Sequence, residues 1–418
     1  DGRRPAPVHL NLAFRDPLVP DSAWKEIANV VDPNSLSELH ESAKSQHEPP
    51  PVMREPINYI AGDLGLDRIP SRGLVLVGDV PIREISEHAI ELATACGWPL
   101  VSATAGNAAA GDTFIAGAAI GLADADFLAE NRPEVVVSIG RFGLSRPVMN
   151  LVRFAEHHVV VQVGGKDRPD PLRTGEVMVD GVPRPPTPDS LVSWEGPASD
   201  WLTVWRELAR QARTRIDAAL DDGLVTGLTV AAEVWGAAGS VDVILAAASR
   251  TTGYFEAVAQ RREDSPWIIG NRGTSGIDGL ISTAYGAALA EGRVPNARTF
   301  AVLGDLAFLH DHNGLLAPTD EPCPDLTLVV VDNNGGGIFS SLEQGGGEYQ
   351  ADFERVFGTP PDQDLLAIAA ATGWQAHIVA TVAELRVALA ASARGRHVVI
   401  VRAADRAAEQ HQWEGLLG

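Results

Sequence analysis

The apolar segments of this chain are unbroken runs rather than alternating ones, and helix-like segments separate them. Residues 326–331 and 299–304 are two such runs, and 73–78, 134–139 and 158–163 are others. Runs of this length and continuity read as parallel strands buried on both faces. Further strands are predicted at 99–103, 241–245, 267–270 and 397–401. Helices are predicted at 83–96, 146–157, 201–222, 276–291, 363–372 and 382–394. Strands that alternate with helices build parallel sheets by right-handed crossovers. The expected fold is therefore α/β, with two parallel-sheet domains of Rossmann type.

The punctuation of the chain suggests where these domains lie. Residues 21–55 are polar and carry three consecutive prolines at 49–51, as a linker around a short helix would. The proline-rich stretch 183–188 closes the next unit. This divides the chain into a linker at 21–55, a central domain at 56–190 and a second domain at 191–418. Residues 7–12 read as a buried strand with six residues before it. A strand needs a sheet, and residues 1–20 cannot build one alone. Either it pairs with the central sheet, or 1–20 is the remnant of another domain. The first strand of the central unit is followed by no Gly-x-Gly-x-x-Gly pattern, so nothing points to a dinucleotide there.

Composition limits the partners. The chain has 418 residues and a net charge of −22, and arginine far outnumbers lysine. A protein this acidic is a poor ligand for nucleic acid or an anionic membrane, and a local arginine cluster gains significance within it. The two cysteines, Cys96 and Cys323, give no disulfide framework and fit a reducing compartment. Cys96 lies in an apolar helical stretch and reads as core. No run of about 18 apolar residues occurs and no signal sequence opens the chain, so a cytoplasmic location without a membrane span is expected.

The most informative motifs stand at the ends of two predicted strands. One strand closes on Gly304-Asp305. The other closes on Asp332-Asn333-Asn334-Gly335-Gly336-Gly337-Ile338-Phe339. Taken singly, an aspartate at a strand end is often only a turn or helix cap, and the asparagine–glycine run only a loop. Together, at the carboxyl ends of neighbouring parallel strands, they offer a carboxylate, an amide oxygen and backbone that a ligand can approach closely. A few fixed oxygen ligands suit Mg²⁺ that is also held by a diphosphate.

The pairing of Gly304-Asp305 with Asn333, under thirty residues later, resembles the thiamine-diphosphate signature. Three further segments occur in the expected order: Asn271-Arg272-Gly273-Thr274-Ser275-Gly276-Ile277-Asp278-Gly279, His310-Asp311-His312-Asn313-Gly314-Leu315-Leu316 and Phe357-Gly358-Thr359-Pro360. On these motifs, which cover about half the chain, it resembles the 2-succinyl-5-enolpyruvyl-6-hydroxy-3-cyclohexene-1-carboxylate synthase (MenD) family. The resemblance implies thiamine diphosphate and Mg²⁺ (or Mn²⁺) as cofactors. It implies Asp305, Asn333 and the carbonyl of Gly335 as metal ligands, and Gly304, Leu306, Gly336 and Phe339 beside the cofactor. The amides of Gly335 to Gly337 would face phosphate oxygens. Ile338 would prop the bent cofactor, although plain core packing would explain an isoleucine as well. The resemblance also implies 2-oxoglutarate and isochorismate as substrates, joined by decarboxylation and 1,4-addition. It further implies a homodimer or homotetramer with sites shared between subunits, and a catalytic glutamate on a pyrimidine-binding domain of which 1–20 would be the tail. Without that domain the segment would be inactive.

The two substrates bring four carboxylates, so arginines should converge on them. Arg272 matches the family motif. Arg146, within 141–148, takes the place of a basic residue in the family's central domain, though a surface or helix-capping role would also place an arginine there. The family's Asn-Pro-x-Arg after Ser249 is replaced here by Arg250-Thr251-Thr252-Gly253, which displaces the arginine and leaves the substrate pair open. A different acceptor, or a non-catalytic cofactor-binding fragment, are the alternatives. His310 and His312 could bind zinc but show no third ligand, and a loop role fits them better. His157 and His158, just ahead of a predicted strand, read as structural. Arg141, Lys166 and Arg168 follow two predicted neighbouring strands and could form a regulatory anion site, or none.

Overall fold

The computed structural model describes residues 53–54, 68–80, 82–143, 145–163, 169–184, 196–271, 276–291, 294–317, 322–391 and 394–418. The expectations for residues 1–20, for most of 21–55, and for Arg272, Lys166 and Arg168 lie outside these residues.

Two six-stranded sheets, both wholly parallel, carry the fold. The first comprises β1 (Met53–Arg54), β2 (Gly73–Val77), β3 (Leu100–Ser102), β4 (Val135–Ile139), β5 (His157–Gln162) and β6 (Val177–Asp180), in the order β1-β6-β5-β4-β2-β3. The second comprises β7 (Val243–Ala246), β8 (Trp267–Ile269), β9 (Thr299–Gly304), β10 (Leu326–Asp332), β11 (Gln375–Val379) and β12 (Arg396–Arg402), in the order β11-β12-β10-β9-β7-β8. The flanking helices include α1 (Arg83–Cys96), α2 (Arg146–Phe154), α3 (Trp201–Leu220), α4 (Gly227–Ala237), α5 (Thr251–Val258), α6 (Leu280–Glu291), α7 (Asp305–His310), α8 (Leu365–Ala371), α9 (Val382–Ala391) and α10 (Arg406–Leu417). The α/β reading of the sequence is thus the observed fold.

The unbroken apolar runs form the strands because helices cover both faces. β2, β4 and β7 are buried along their whole length, and β10 is buried up to Asp332. Each fully buried valine, leucine or isoleucine contributes about 1.5–3 kcal/mol over its exposed state. Close packing shows at Gly73, where an added Cβ would lie 2.1 Å from the Trp98 ring.

Three features depart from the expected layout. Met53–Arg54, placed in the linker by the sequence, pairs with Met178 and Val179 as an edge strand of the first sheet. Strand β5 starts at His157, one residue before the predicted 158–163, so both histidines belong to the strand. Helix α3, read as opening the second domain, serves both sheets. Trp201, Trp205 and Leu208 pack with the first sheet's core, and Ala212 and Ile216 with the second's. Among the described residues no helix is long and apolar enough to cross a membrane.

Five strands of each sheet share an order (β3-β2-β4-β5-β6 and β8-β7-β9-β10-β12), and the sixth, edge strand differs: β1 precedes the others of its sheet, whereas β11 lies between β10 and β12 in the chain. In each, one connection leaves to one side (β2 to β3, β7 to β8) and the next strand returns to the other side (β4, β9). The crevice where connections diverge, at the carboxyl ends of β2/β4 and of β7/β9, is where such sheets bind ligands.

Candidate cation and diphosphate site

Asp305 follows the last residue of β9 and begins α7, at the crevice between β7 and β9. The register sets Gly304 opposite Val331 of β10, so the motif after β10 emerges beside it. Asp305 is 1% exposed. Its Oδ1 accepts the Leu306 N–H at 2.6 Å and its Oδ2 accepts the Gly335 N–H at 2.7 Å. Burial pushes this carboxyl up to about 6, and the nearby Asp332 charge adds to the push. The backbone N–H groups of Gly335, Leu306 and Asn334 work the other way and do not overcome it. A buried carboxylate held only by neutral donors is a place where a cation lowers the free energy.

The loop after β10 is shaped to reach this carboxylate. Asn334 has φ 66° and Gly335 φ 120°, which turns their amides toward Asp305. A Cβ at Gly335 would stand 2.1 Å from the Gly358 carbonyl oxygen, and one at Gly336 would stand 2.2 Å from that of Phe357. The glycines therefore let the loop lie against 357–358, the Phe-Gly-Thr-Pro motif. One expectation is corrected here. The amides of Gly335, Gly336 and Gly337 donate to Asp305, to the Gly358 carbonyl (2.7 Å) and to the Gly335 carbonyl (2.8 Å). They are engaged within the protein and do not face outward to phosphate.

Asn333 donates its Nδ2 to Glu409 Oε2 at 2.6 Å, which turns its amide oxygen away from that carboxylate. Asp332 is occupied by Arg402 at 2.9 Å. Ile338 and Phe339 start a short turn beyond the glycines; both are half-buried, and Ile338 belongs to none of the buried clusters. Phe339 packs on Phe357 with ring centroids 5.5 Å apart. Leu306 is half-buried one residue after Asp305.

The remaining candidates are dispersed. Ser249 is exposed in the loop after β7 with φ 75°. Arg250 turns inward and donates Nη2 to Gln410 of α10, while its Nε and Nη1 are buried without a hydrogen-bond partner. Its neighbour Tyr254 packs edge-on against Trp413 at 5.3 Å. Burial, and then the Glu409 charge, raise the Tyr254 hydroxyl above its ordinary range. Arg146 is exposed at the start of α2, on the connection leaving the first sheet at β4. Arg141 lies beside it in chain order, and its backbone bridges Asp79. His310 and His312 are exposed, and Asp311 between them accepts the Ser282 N–H at 2.9 Å, tying this loop to α6.

Sequence reasoning missed Glu409, which is 2% exposed on α10 and also accepts the Gly227 N–H at 2.8 Å. The available signal was Asp405, whose carboxylate accepts the Ala408 N–H and caps a helix the sequence reading did not place.

Residues 250–403 match the model of the thiamine pyrophosphate enzyme C-terminal TPP-binding domain, a span that includes Asp305 and Asn333. The chain is 35% identical over 419 residues to a 2-succinyl-5-enolpyruvyl-6-hydroxy-3-cyclohexene-1-carboxylate synthase of Nocardioides sp., covering 96% of this chain and 70% of that one. The chain belongs to this synthase family. It is also 38% identical to the synthase of Thermobifida fusca, over 88% of this chain and 62% of that protein, and 37% identical to that of Saccharopolyspora erythraea, over 96% and 66%. It thus spans slightly under two thirds of the length of these two synthases.

The observed donors fit a divalent cation bound with a diphosphate. Asp305 supplies a carboxylate, Asn333 an amide oxygen turned from its partner, and Gly335 a carbonyl with a second lone pair beyond the one Gly337 uses.

Proposed function

We propose that this chain carries the cation- and diphosphate-binding part of a thiamine-diphosphate-dependent carboligase of menaquinone biosynthesis, which decarboxylates 2-oxoglutarate and adds the succinyl unit 1,4 to isochorismate. The observation that carries this reading is the buried, destabilised Asp305 carboxylate at the crevice of the second sheet, met by the loop of Asn333 and Gly335. Asp305, Asn333 and the Gly335 carbonyl would hold Mg²⁺ or Mn²⁺. The cofactor, when bound, supplies the electron sink for decarboxylation and carbon–carbon bond formation.

The protein's own part is orientation and charge. With the Gly335–Gly337 amides engaged inside the loop, Asp305, Asn333 and the Gly335 carbonyl would serve the diphosphate chiefly by holding its cation. Ile338, half-buried and outside the core, is free to support the cofactor. Arg146 stands at a helix N-terminus, where the helix dipole disfavours a cation, so an anionic ligand would stabilise it there. Arg272 would take a substrate carboxylate, and Arg141, Lys166 and Arg168 a regulatory anion. The first sheet serves as a central domain (56–190, joined by the edge strand Met53–Arg54) and the second as a diphosphate-binding domain (191–418). The working form is a cytoplasmic homodimer or homotetramer.

One observation favours a second reading, a related carboligase with another acceptor. Arg250, the displaced arginine, is directed at Gln410 rather than outward beside Ser249.

Calorimetry tests the primary site. Thiamine diphosphate should bind this chain with Mg²⁺ and not with EDTA, and Asp305→Ala should abolish Mg²⁺-dependent binding, because the cation loses its only carboxylate. Affinity that is unchanged in the variant, or independent of Mg²⁺, removes the reading.

A further inference from the structure

We propose that Glu409 is a positioning residue for the cation: it fixes which end of the Asn333 side chain faces the metal. This rests on the reading of Asp305 and Asn333 as cation ligands. Glu409 lies beyond residue 403, where the match to the TPP-binding domain stops.

An asparagine side chain is nearly symmetric in shape but not in chemistry. Only the oxygen end binds a hard cation, and the NH₂ end repels it. Something must select the rotamer. Glu409 is buried to 2% exposure, and each of its oxygens already receives one N–H. Oε1 accepts from the Gly227 backbone at 2.8 Å, and Oε2 accepts from Asn333 Nδ2 at 2.6 Å. Acting as acceptor on both oxygens, it accommodates the NH₂ end of Asn333 and rejects the oxygen end.

Glu409 is itself held in place. Gly227 is the first residue of α4, whose free N–H groups and dipole favour a carboxylate. A Cβ at Gly227 would lie 3.0 Å from Glu409 Oε1 and 2.3 Å from the Tyr254 ring, so glycine is needed for this approach. On the other side, a Cβ at Gly337 would lie 3.0 Å from Asn333 Nδ2 and 3.4 Å from Glu409 Oε2. Two glycines thus make room for one acid whose reach ends on Asn333. A buried carboxylate costs desolvation that an apolar side chain would avoid. Orienting a metal ligand from outside the coordination sphere is a use that justifies the cost.

The test reverses the polarity of the pair. Glu409→Gln keeps the shape but must offer an NH₂ to Gly227 or to Asn333. When the Gln carbonyl stays on Gly227, Asn333 flips and presents NH₂ to the cation. Glu409→Gln combined with Asn333→Asp restores the logic, since an aspartate accepts from the glutamine NH₂ and turns its other oxygen to the metal. The readout is Mn²⁺ binding to the full chain with thiamine diphosphate, by calorimetry and by the electron paramagnetic resonance of free Mn²⁺. Thermal unfolding monitored by circular dichroism confirms that each variant is folded.

Glu409→Gln should weaken Mn²⁺ binding about 10-fold or more, as loss of an outer-shell partner does. The double variant should return to within about threefold of the parent. Asn333→Asp alone, which sets carboxylate against carboxylate, should not bind more tightly than the parent. Three results overturn the proposal: Glu409→Gln within threefold of the parent, a double variant no tighter than Glu409→Gln, or Asn333→Asp alone tighter than the parent. If the parent itself binds no Mn²⁺ with thiamine diphosphate, the reading of the site fails, and the proposal with it.

Discussion

The two sheets of this chain share the order of five strands, differing only in where the sixth, edge strand comes from, and they treat the carboxyl ends of those strands in opposite ways. In the first sheet the loops after β2 and β4 are joined across the crevice. Asp79 donates its N–H to the Arg141 carbonyl at 2.6 Å, and Arg141 donates back at 3.1 Å. Gly78 and Gly140 make this possible. A Cβ at Gly78 would lie 2.4 Å from Arg141 backbone, and one at Gly140, with φ 72°, would lie 2.3 Å from the Asp79 carbonyl. In the second sheet Asp305, at the end of β9 and so on the edge of the corresponding β7/β9 crevice, is tied instead to the other side, its carboxylate receiving backbone N–H groups from the loop after β10. Topology alone therefore does not make a ligand site. What the glycines do with the crevice decides it.

The buried titratable groups repeat the contrast. His158 in the first sheet is 2% exposed and has a hydroxyl on each ring nitrogen, Ser138 at 2.7 Å and Thr174 at 2.8 Å. Burial pushes its imidazole down to about 4, and the charges of Asp170 and Glu176 only partly offset this. It is neutral and satisfied. Asp305 is buried, satisfied by backbone alone, and shifted in the direction that a bound cation would reverse.

The largest effects expected from breaking this comparison come from the glycines. Gly140→Ala and Gly335→Ala each force a Cβ into a carbonyl oxygen from a positive φ, so each should destabilise its sheet by roughly 2–4 kcal/mol. Only Gly335→Ala should also weaken Mg²⁺-dependent thiamine diphosphate binding, because it moves the loop that meets Asp305. Denaturant unfolding and calorimetry on both variants separate the effects. Equal loss of affinity in the two would erase the distinction drawn between the crevices.

A smaller effect is a pair of opposed pH dependences. His158 has a lowered folded pKa, so the unfolded state binds more protons between about pH 6.5 and 4. Its contribution is complete above 6.5 and is lost as pH falls through that window. Asp305 has a raised folded pKa, so the folded state binds more protons between about 3.8 and 6, and its contribution declines as pH rises through that window. The two slopes largely cancel in the cation-free chain. Against the parent, in which Glu134, Glu207 and Glu384 with their lowered pKa values add a common positive slope, His158→Gln should shift the slope of the denaturation midpoint between about pH 4 and 6 in the negative direction and Asp305→Asn in the positive direction. An Asp305→Asn slope equal to or below the parent's would show that Asp305 is not the destabilised group.

Much of the scaffold was legible because burial on both faces leaves a strong mark on a sequence. Helix 83–96 and the strand at 299–304 coincide with the observed α1 and β9, and the strand read as 326–331 extends one residue to Asp332. Elements with a weaker mark were missed. β11 is a largely exposed edge strand carrying Gln375 and His377, so it lacks an apolar run. Helix α4 starts at a glycine, with a Thr226–Thr229 capping box in place of the usual glutamate. The motif residues Asp305 and Asn333 could be named from sequence. Glu409 could not, since its partner Asn333 is brought to it only by the packing of α10 on the loop after β10.

The most direct test of the account is a crystal structure of this chain grown with Mn²⁺ and thiamine diphosphate, with the metal located by its anomalous scattering. The account predicts a Mn²⁺ bonded to the Asp305 carboxylate, the Asn333 amide oxygen and the Gly335 carbonyl, bridging to the diphosphate, with the first sheet's crevice still closed by the Asp79–Arg141 pairing. A diphosphate bound at the carboxyl ends of β2 and β4, or a Mn²⁺ that leaves Asp305 uncoordinated, would contradict it.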